Sequence, residues 1–377
     1  MSKVATAPSM GTKVGIVRFD GKITLLSRLA QITESAKQPN GTLLQIHRRD
    51  KHLIDNQVVS FPGPSQNTIR SMVRDNIARD ITDALAEKGQ KVGYQDLIVL
   101  YCGGGGAEGK DLKAAEGTAE EGEGQKDKKH GKKALSPSDL IAAQTDAKNR
   151  NVVLSLLGAS ALRAIIAGKT VIGEPILICR ETVDAGLVDL EKIAEQTSDL
   201  AFGRDNGYID IKQYVRKDDM TNPEVFEMLS EEGLGEMISF EAALADKKAK
   251  KNNDDEPQKG SATSRQMIFS VETVIPGAKY YHYNILKNVA SIELGAFLSA
   301  LKRFSIHPYI GGHSSRGCGR IALNYTITIN GEIHGEVAVD DNGFSLNGAS
   351  DVVLGAMEDY RAYLEQVTAD SISVQLK

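Results

Sequence analysis

The stretches KYYHYNILK (Lys279–Lys287), SIELGAFLSALKRF (Ser291–Phe304) and IALNYTITI-NG-EIHGEVAV (Ile321–Val339) decide the fold. The first follows a similar alternating run, Arg265–Ile275, with Gly277 turning the chain between them, so the two read as adjacent strands. Leu294, Leu298 and Leu301 recur at helical spacing and predict one helix over Ser291–Phe304. Asn330-Gly331 is the strongest short turn signal in the chain and joins Ile321–Ile329 to Glu332–Val339 as a hairpin.

Working toward the N-terminus, Lys13–Phe19 and Lys22–Ile32 read as strands. Ser65–Leu85 reads as a helix, with Ile69, Met72, Val73, Ile77, Ile81 and Leu85 on one stripe, Pro64 at its first turn and Gly89 at its end. Asp96–Tyr101 is a short apolar run expected to be a strand; Val152–Ala167 fits a helix or a buried strand; Thr170–Arg180 is expected to be a strand. Strand–helix–strand followed by strand–strand–helix–strand describes an α+β fold, an antiparallel sheet backed by helices of the ferredoxin-like or RRM-like kind.

Two segments read as insertions. Gly103–Lys133 is built of Gly, Ala, Glu and Lys, and cannot bury enough apolar surface to offset its ordering entropy. Asp246–Thr263 is charged and polar throughout, so both are expected to be disordered loops. The 377 residues then make a single domain, with insertions at about 103–133 and about 202–263.

Hydrophobic residues make up 41% of the chain and charged ones 25%, as in a soluble globular protein. No run of eighteen apolar residues exists, and the N-terminus lacks a signal-peptide core, so a cytoplasmic protein with no membrane contact is expected. Cys102, Cys179 and Cys318 are far apart and have no metal-ligand spacing, which predicts reduced thiols and no metal or cofactor. Between Asn222 and Lys259 ten acids face five lysines, which accounts for the whole net charge of -5. The acidic balance therefore does not exclude RNA, because the bases elsewhere are free to cluster.

The segment IGGHSSRGCGRI (Ile310–Ile321) follows the predicted helix and precedes a strand. Gly311, Gly312, Gly317 and Gly319 permit close backbone approach, and His313, Ser314, Ser315, Arg316 and Arg320 offer the donors that phosphate oxygens need. A glycine-rich turn with solvated arginines fits the composition equally well. Walker-type and dinucleotide readings fail, since both require a helix after the loop. In VVSFPGPSQNTIRSMVR (Val58–Arg74) a strand ends at Phe61 and a helix starts near Ser65. Ser65, Gln66, Asn67 and the N–H groups of the first turn make an anion site, and Arg70 and Arg74 share a face away from the apolar stripe. An ordinary capped helix with a solvated polar face is the simpler alternative.

FPGPSQNTIRSMVR (61–74) resembles the (I/V)PGSSLKGALR-type turn and helix of the repeat-associated mysterious protein (RAMP) superfamily, and IGGHSSRGCGRI resembles that superfamily's glycine-rich loop. The strand and turn around VETVIPG (271–277) also resemble a motif of the superfamily. Order and spacing are similar to the CRISPR backbone subunits of type III and type IV effector complexes, with the glutamate-rich middle pointing to type IV. The match departs at Gly63-Pro64-Ser65-Gln66-Asn67, where the family has Gly-Ser-Ser and a basic residue.

The resemblance implies an RRM-like palm with an inserted thumb hairpin, placed here in Phe202–Asp219 with Arg204, Arg216 and Lys217, where a plain surface hairpin fits equally well. Copies would form a helical homo-oligomeric filament on a guide (CRISPR) RNA beside other effector subunits, and would support target DNA or RNA pairing. Gripping phosphates and shape while base pairing reads sequence suits such a holder. The basic run around Arg48, Arg49 and Lys51, between His47 and His52, is expected in a loop that either touches RNA or is a solvated charged loop. Tyr280, Tyr281 and Tyr283 are read as core rather than as base platforms. No catalytic residue is expected. One alternative is a subunit that also cleaves target RNA through Asp55, with Asp50 second, in the loop before the first helix. Another is a repeat-processing endoribonuclease using His47, His52 or His313, and a third is an RRM-like protein with no CRISPR role.

Overall fold

The computed structural model describes residues 10–39, 42–103, 137–161, 164–193, 200–203, 207–216, 230–233, 235–236, 238–239 and 267–373. In chain order the strands and helices are β1 (Lys13–Leu25), β2 (Ile32–Lys37), β3 (Leu43–His47), β4 (Arg49–Ile54), β5 (Gln57–Pro62), α1 (Gln66–Glu87), α2 (Tyr94–Cys102), α3 (Pro137–Arg150), α4 (Val152–Leu157), β6 (Ala159–Ala161) and β7 (Ala164–Ile166). They continue as β8 (Thr170–Ile172), β9 (Ile176–Leu177), α5 (Arg180–Asp184), β10 (Ile209–Arg216), β11 (Met267–Val274), β12 (Lys279–Ala290), α6 (Ser291–Phe304), β13 (Ile321–Ile329), β14 (Glu332–Asp340), β15 (Gly343–Asn347), α7 (Asp351–Gln366) and α8 (Ala369–Ile372).

The chain divides into two compact units. The larger holds residues 1–31, 47–210 and 273–377, and its main sheet runs β15-β14-β13-β1-β12-β8, with β9 also on β12. Every neighbour pair along this path is antiparallel. With β1, β8, β12 and β13 as the four strands of a split βαβ pair, the order β13-β1-β12-β8 is the ferredoxin-like one, so the fold is α+β as expected. The smaller unit holds residues 32–46 and 211–272. Its four-stranded sheet has the order β10-β11-β3-β2, with β11 parallel to β3 and the Tyr214 and Phe269 rings stacked at 5.5 Å.

Strand period two lays one face of the main sheet against the helices. Val17, Phe19, Ile23 and Leu25 of β1 and Ile321, Leu323, Tyr325, Ile327 and Ile329 of β13 all belong to the core. Phe19 meets Phe297 of α6 at a ring-centroid distance of 4.7 Å. Gly21 sits in the middle of this face, paired with both His282 and Tyr325. A Cβ there would lie 1.8 Å from the Asn324 carbonyl oxygen, so only glycine fits. His282 Nδ1 is 2.8 Å from the Tyr325 hydroxyl, and both side chains are fully buried. Burial pushes the His282 pKa down to about 3, while the Gly173 backbone and the Asp20 charge oppose the shift.

Helix α1 buries Ile69, Val73, Ile77, Ile81 and Leu85, one residue per turn, against α6. The start of α6 is anchored by Glu293, fully buried. Its carboxylate accepts from the Ala290 N–H (2.8 Å), from Lys169 Nζ (2.7 and 2.8 Å) and from Ser155 Oγ (2.5 Å). Three groups thus satisfy a charge that would otherwise be costly to bury.

Several local expectations are corrected. β1 is continuous from Lys13 to Leu25, where two strands were expected. Asp96–Tyr101 lies in helix α2: an unalternating apolar run does not distinguish helix from strand, and Asp96, Val99 and Leu100 are buried at helical spacing. Val152–Ala167 is a short helix followed by the β6–β7 hairpin, and Thr170–Arg180 is two short strands broken at Gly173-Glu174-Pro175. The basic run expected in a loop forms the hairpin β4–β5, paired from Arg49↔Pro62 to Ile54↔Gln57 and closed by Asp55 and Asn56 at positive φ. The 104–136 and 240–266 stretches, where the disordered loops were expected, lie outside the described residues. No described helix is long and apolar enough to cross a membrane.

Candidate nucleic-acid interface

The glycine-rich segment begins as a short ladder. Ile310 N–H donates to the Gly319 carbonyl (2.9 Å) and Ile321 N–H to the Pro308 carbonyl (2.9 Å), with Tyr309 bridged to Arg320 between them. Gly319 has φ +93°, and a Cβ there would lie 1.9 Å from the Ile310 carbonyl oxygen, which explains glycine at this position. Beyond the ladder, residues 314–316 form one 3-10 turn between His313 and Gly317, both in the left-handed region. Cys318 is buried, while Gly311, Gly312, Ser314, Ser315, Arg316 and Gly317 are exposed.

The loop is tied down by the segment that follows β1. Gly312 N–H donates to the Ala30 carbonyl (2.7 Å), Gly319 N–H to the Arg28 carbonyl (2.6 Å) and Arg320 N–H to Ser27 Oγ (2.9 Å). The next residue reaches the other predicted segment: Gln31 Oε1 accepts from the Ser65 N–H at 3.0 Å, and its carbonyl from the Arg48 N–H at 2.7 Å. Residues 27–31 thus join the glycine loop to the start of α1, which the sequence places some 245 residues apart.

Ser65 is the N-cap of α1, and its hydroxyl accepts from the Thr68 N–H at 3.3 Å; Gln66 and Asn67 are exposed. The anion position at this helix start is taken by the chain's own Glu174. Its Oε1 accepts from the Gln66 N–H (3.3 Å) and from Arg48 Nη2 (2.6 Å). Arg48 also pairs with Asp50 and donates to the Pro64 carbonyl at 3.3 Å. Burial raises the Asp50 pKa, with Arg48 opposing and Glu174 adding to the shift.

The expectation that Arg70 and Arg74 share an exposed face is corrected. Arg74 is buried and donates to the carbonyls of Val99 (3.2 Å), Leu157 (3.3 Å) and Gly158 (2.8 Å). Burial, aided by the nearby Arg70 charge, lowers its pKa. Arg70 donates to the carbonyls of Leu157 (2.7 Å) and Thr170 (3.4 Å). Both arginines donate to backbone carbonyls of neighbouring segments, which is a structural role.

In the glycine loop, Arg316 Nη1 lies 2.8 Å from His313 Nδ1, and burial together with the Arg316 charge lowers the His313 pKa. Arg320 pairs with Asp341 at 2.8 Å on the surface. Arg49 donates to the His47 carbonyl at 3.2 Å, His47 is buried, and Lys51 is exposed on β4. Arg204 and Lys217 lie outside the described residues, and of Arg216 only the backbone at the end of β10 is described.

Asp55, at the tip of the β4–β5 hairpin, lines a cavity of about 240 Å³ with Ile54, Arg180, Glu181, Asp184 and Phe202. Glu181 accepts from the Gly203 N–H at 2.8 Å, and the Arg180 guanidinium lies 4.9 Å from the centre of the Phe202 ring. Among the described residues no three His, Cys, Asp or Glu side chains are grouped to hold a metal ion.

No protein-family model and no curated protein matches the chain. A solved chain of a structure titled "Type IV-B CRISPR Complex" is similar at 13% identity and a TM-score of 0.40, over 83% of this chain and 91% of that one.

Proposed function

We propose that the chain is an RNA-binding backbone subunit of a CRISPR effector complex, holding guide RNA by its phosphates and assembling in several copies along it. The observation that carries this reading is the glycine loop. It exposes Ser314, Ser315 and Arg316 on a turn pinned at Arg28 and Ala30, beside the helix start reached through Gln31. Hydroxyl and guanidinium donors on a rigid turn suit phosphate oxygens, and they carry no base-reading geometry. The motif resemblance of Phe61–Arg74 and Ile310–Ile321 to CRISPR backbone subunits supports the same reading and extends it to guide RNA and a helical filament.

The candidate interface comprises Gly311, Gly312, His313, Ser314, Ser315, Arg316 and Arg320, with Gln66 and Asn67 at the helix start. Arg70 and Arg74 are left out because backbone carbonyls hold them. In this reading the subunit holds RNA without cutting it. The test is equilibrium binding of single-stranded RNA across a salt series, comparing the parent with Arg316→Ala and with Ser314→Ala/Ser315→Ala. Weaker binding of every sequence tried, with the Arg316→Ala salt slope reduced by about one, supports the proposal. Unchanged affinity and slope in both variants refute it.

A further inference from the structure

The glycine loop has an aromatic neighbour. His307 and Tyr309 stack with ring centroids 4.4 Å apart at an interplanar angle of 23°, immediately before the loop. His307 is exposed and Tyr309 half-buried, and the preceding Ile306 is 84% exposed. Among the described residues no other ring or cation covers the outer face of His307. The pair does not float. The Tyr309 N–H donates to the His307 carbonyl at 2.8 Å, and the His307 N–H to the Phe304 carbonyl at 3.0 Å. Tyr309 is bridged to Arg320, so those two side chains leave the ladder on the same face. The Arg320 guanidinium, paired with Asp341 at 2.8 Å, therefore leaves the ladder on the same side as the Tyr309 ring of the stack.

A flat, open ring face on the side of the ladder where a surface arginine emerges matches one repeat of single-stranded nucleic acid, in which a base lies beside its own phosphate. We propose that the His307–Tyr309 pair is a stacking platform for one unpaired base of the bound RNA, with His307 as the contact face and Tyr309 as its support. This rests on the RNA-holding role proposed above and adds a base contact to a site otherwise built for phosphates. The contact is tolerant of sequence, since every base has a π face. It is made outside a duplex, because a paired and stacked base does not expose that face.

The experiment uses the full chain with two ligands: a single-stranded RNA, and the same strand with its central bases removed to leave ribose phosphate. Fluorescence anisotropy is recorded for the parent, His307→Ala and His307→Phe. The expected result is that His307→Ala weakens binding of the intact RNA about five- to 150-fold, the range for losing one stacked base, while His307→Phe stays near the parent. On the abasic strand all three should bind alike. If His307→Ala binds intact RNA as tightly as the parent, the platform is refuted while the phosphate-holding role stands. If the parent binds neither strand at low salt, that role fails and the platform falls with it. Because His307 is exposed, its replacement should leave the unfolding midpoint unchanged, and a loss of affinity accompanied by unfolding would count against the platform.

Discussion

Lowering the pH from 8 to 5 asks the chain to place a proton on His282, and the fold refuses it. The ring, on β12 and separated from Tyr325 of β13 by Gly21 of β1, is fully buried against the Tyr325 hydroxyl, and its pKa is about 3 where an unfolded histidine has 6.5. The unfolded chain therefore binds this proton more readily than the native one. Stability is complete above pH 6.5, falls as the pH drops below it, and levels off once the pH is below about 3. At about 1.4 kcal/mol per pH unit the whole interval limits the effect to about 5 kcal/mol. The same relation gives a loss of about 2 kcal/mol at pH 5 and about 3 kcal/mol at pH 4. The perturbation is His282→Asn, which keeps a polar partner for Tyr325 but cannot ionise. Urea unfolding followed by circular dichroism at pH 8 and pH 5 measures each protein's loss. Whatever the variant costs at pH 8, its loss on acidification should be smaller than the parent's by about 2 kcal/mol. Equal losses in the two proteins would refute the assignment of a buried, neutral His282.

Arg74→Met should destabilise the larger unit by about 3 kcal/mol or more, because the Val99, Leu157 and Gly158 carbonyls lose a buried donor; Arg316→Ala should change stability by less than about 0.5 kcal/mol, and thermal melts compare them. Gly319→Ala forces a Cβ against the Ile310 carbonyl at positive φ, so about 1–3 kcal/mol of stability should be lost together with RNA affinity, read by melting and anisotropy. Complementary labelled RNA incubated with the complex and Mg²⁺ should stay intact with the parent and with Asp55→Ala alike, whereas cutting by the parent alone would make Asp55 catalytic.

How much of this was legible in the sequence depended on whether a segment's own period decided its environment. Ser291–Phe304 forms the helix its leucine spacing predicts, and Asn330-Gly331 turns the expected hairpin. α2 was misread because a six-residue apolar run has no period, and its glycine-bounded ends did not break the tie. The strand ending at Phe61 is β5, but its partner β4 was missed because the outer positions of the hairpin carry both apolar and charged residues. Leu53 and Val58, paired across it, are 71% and 68% exposed, so no inside–outside alternation marks it. At the site, the loop's exposed donors and the Ser65 cap could be read from composition and position. Arg70 and Arg74 could not, because only the folded chain brings the Leu157 and Gly158 carbonyls over that side of α1. Glu174 and Gln31 had no sequence signal at all, since their contacts with Ser65, Gln66 and Arg48 are purely tertiary.

The most direct test of the account is the nucleic acid that travels with the protein. The chain is co-expressed with the products of its neighbouring genes, purified at low salt, and its bound RNA is sized while the copies per complex are counted by native mass spectrometry. RNA of uniform length carrying several copies of this chain is the predicted result. An RNA-free monomer at low salt would contradict it.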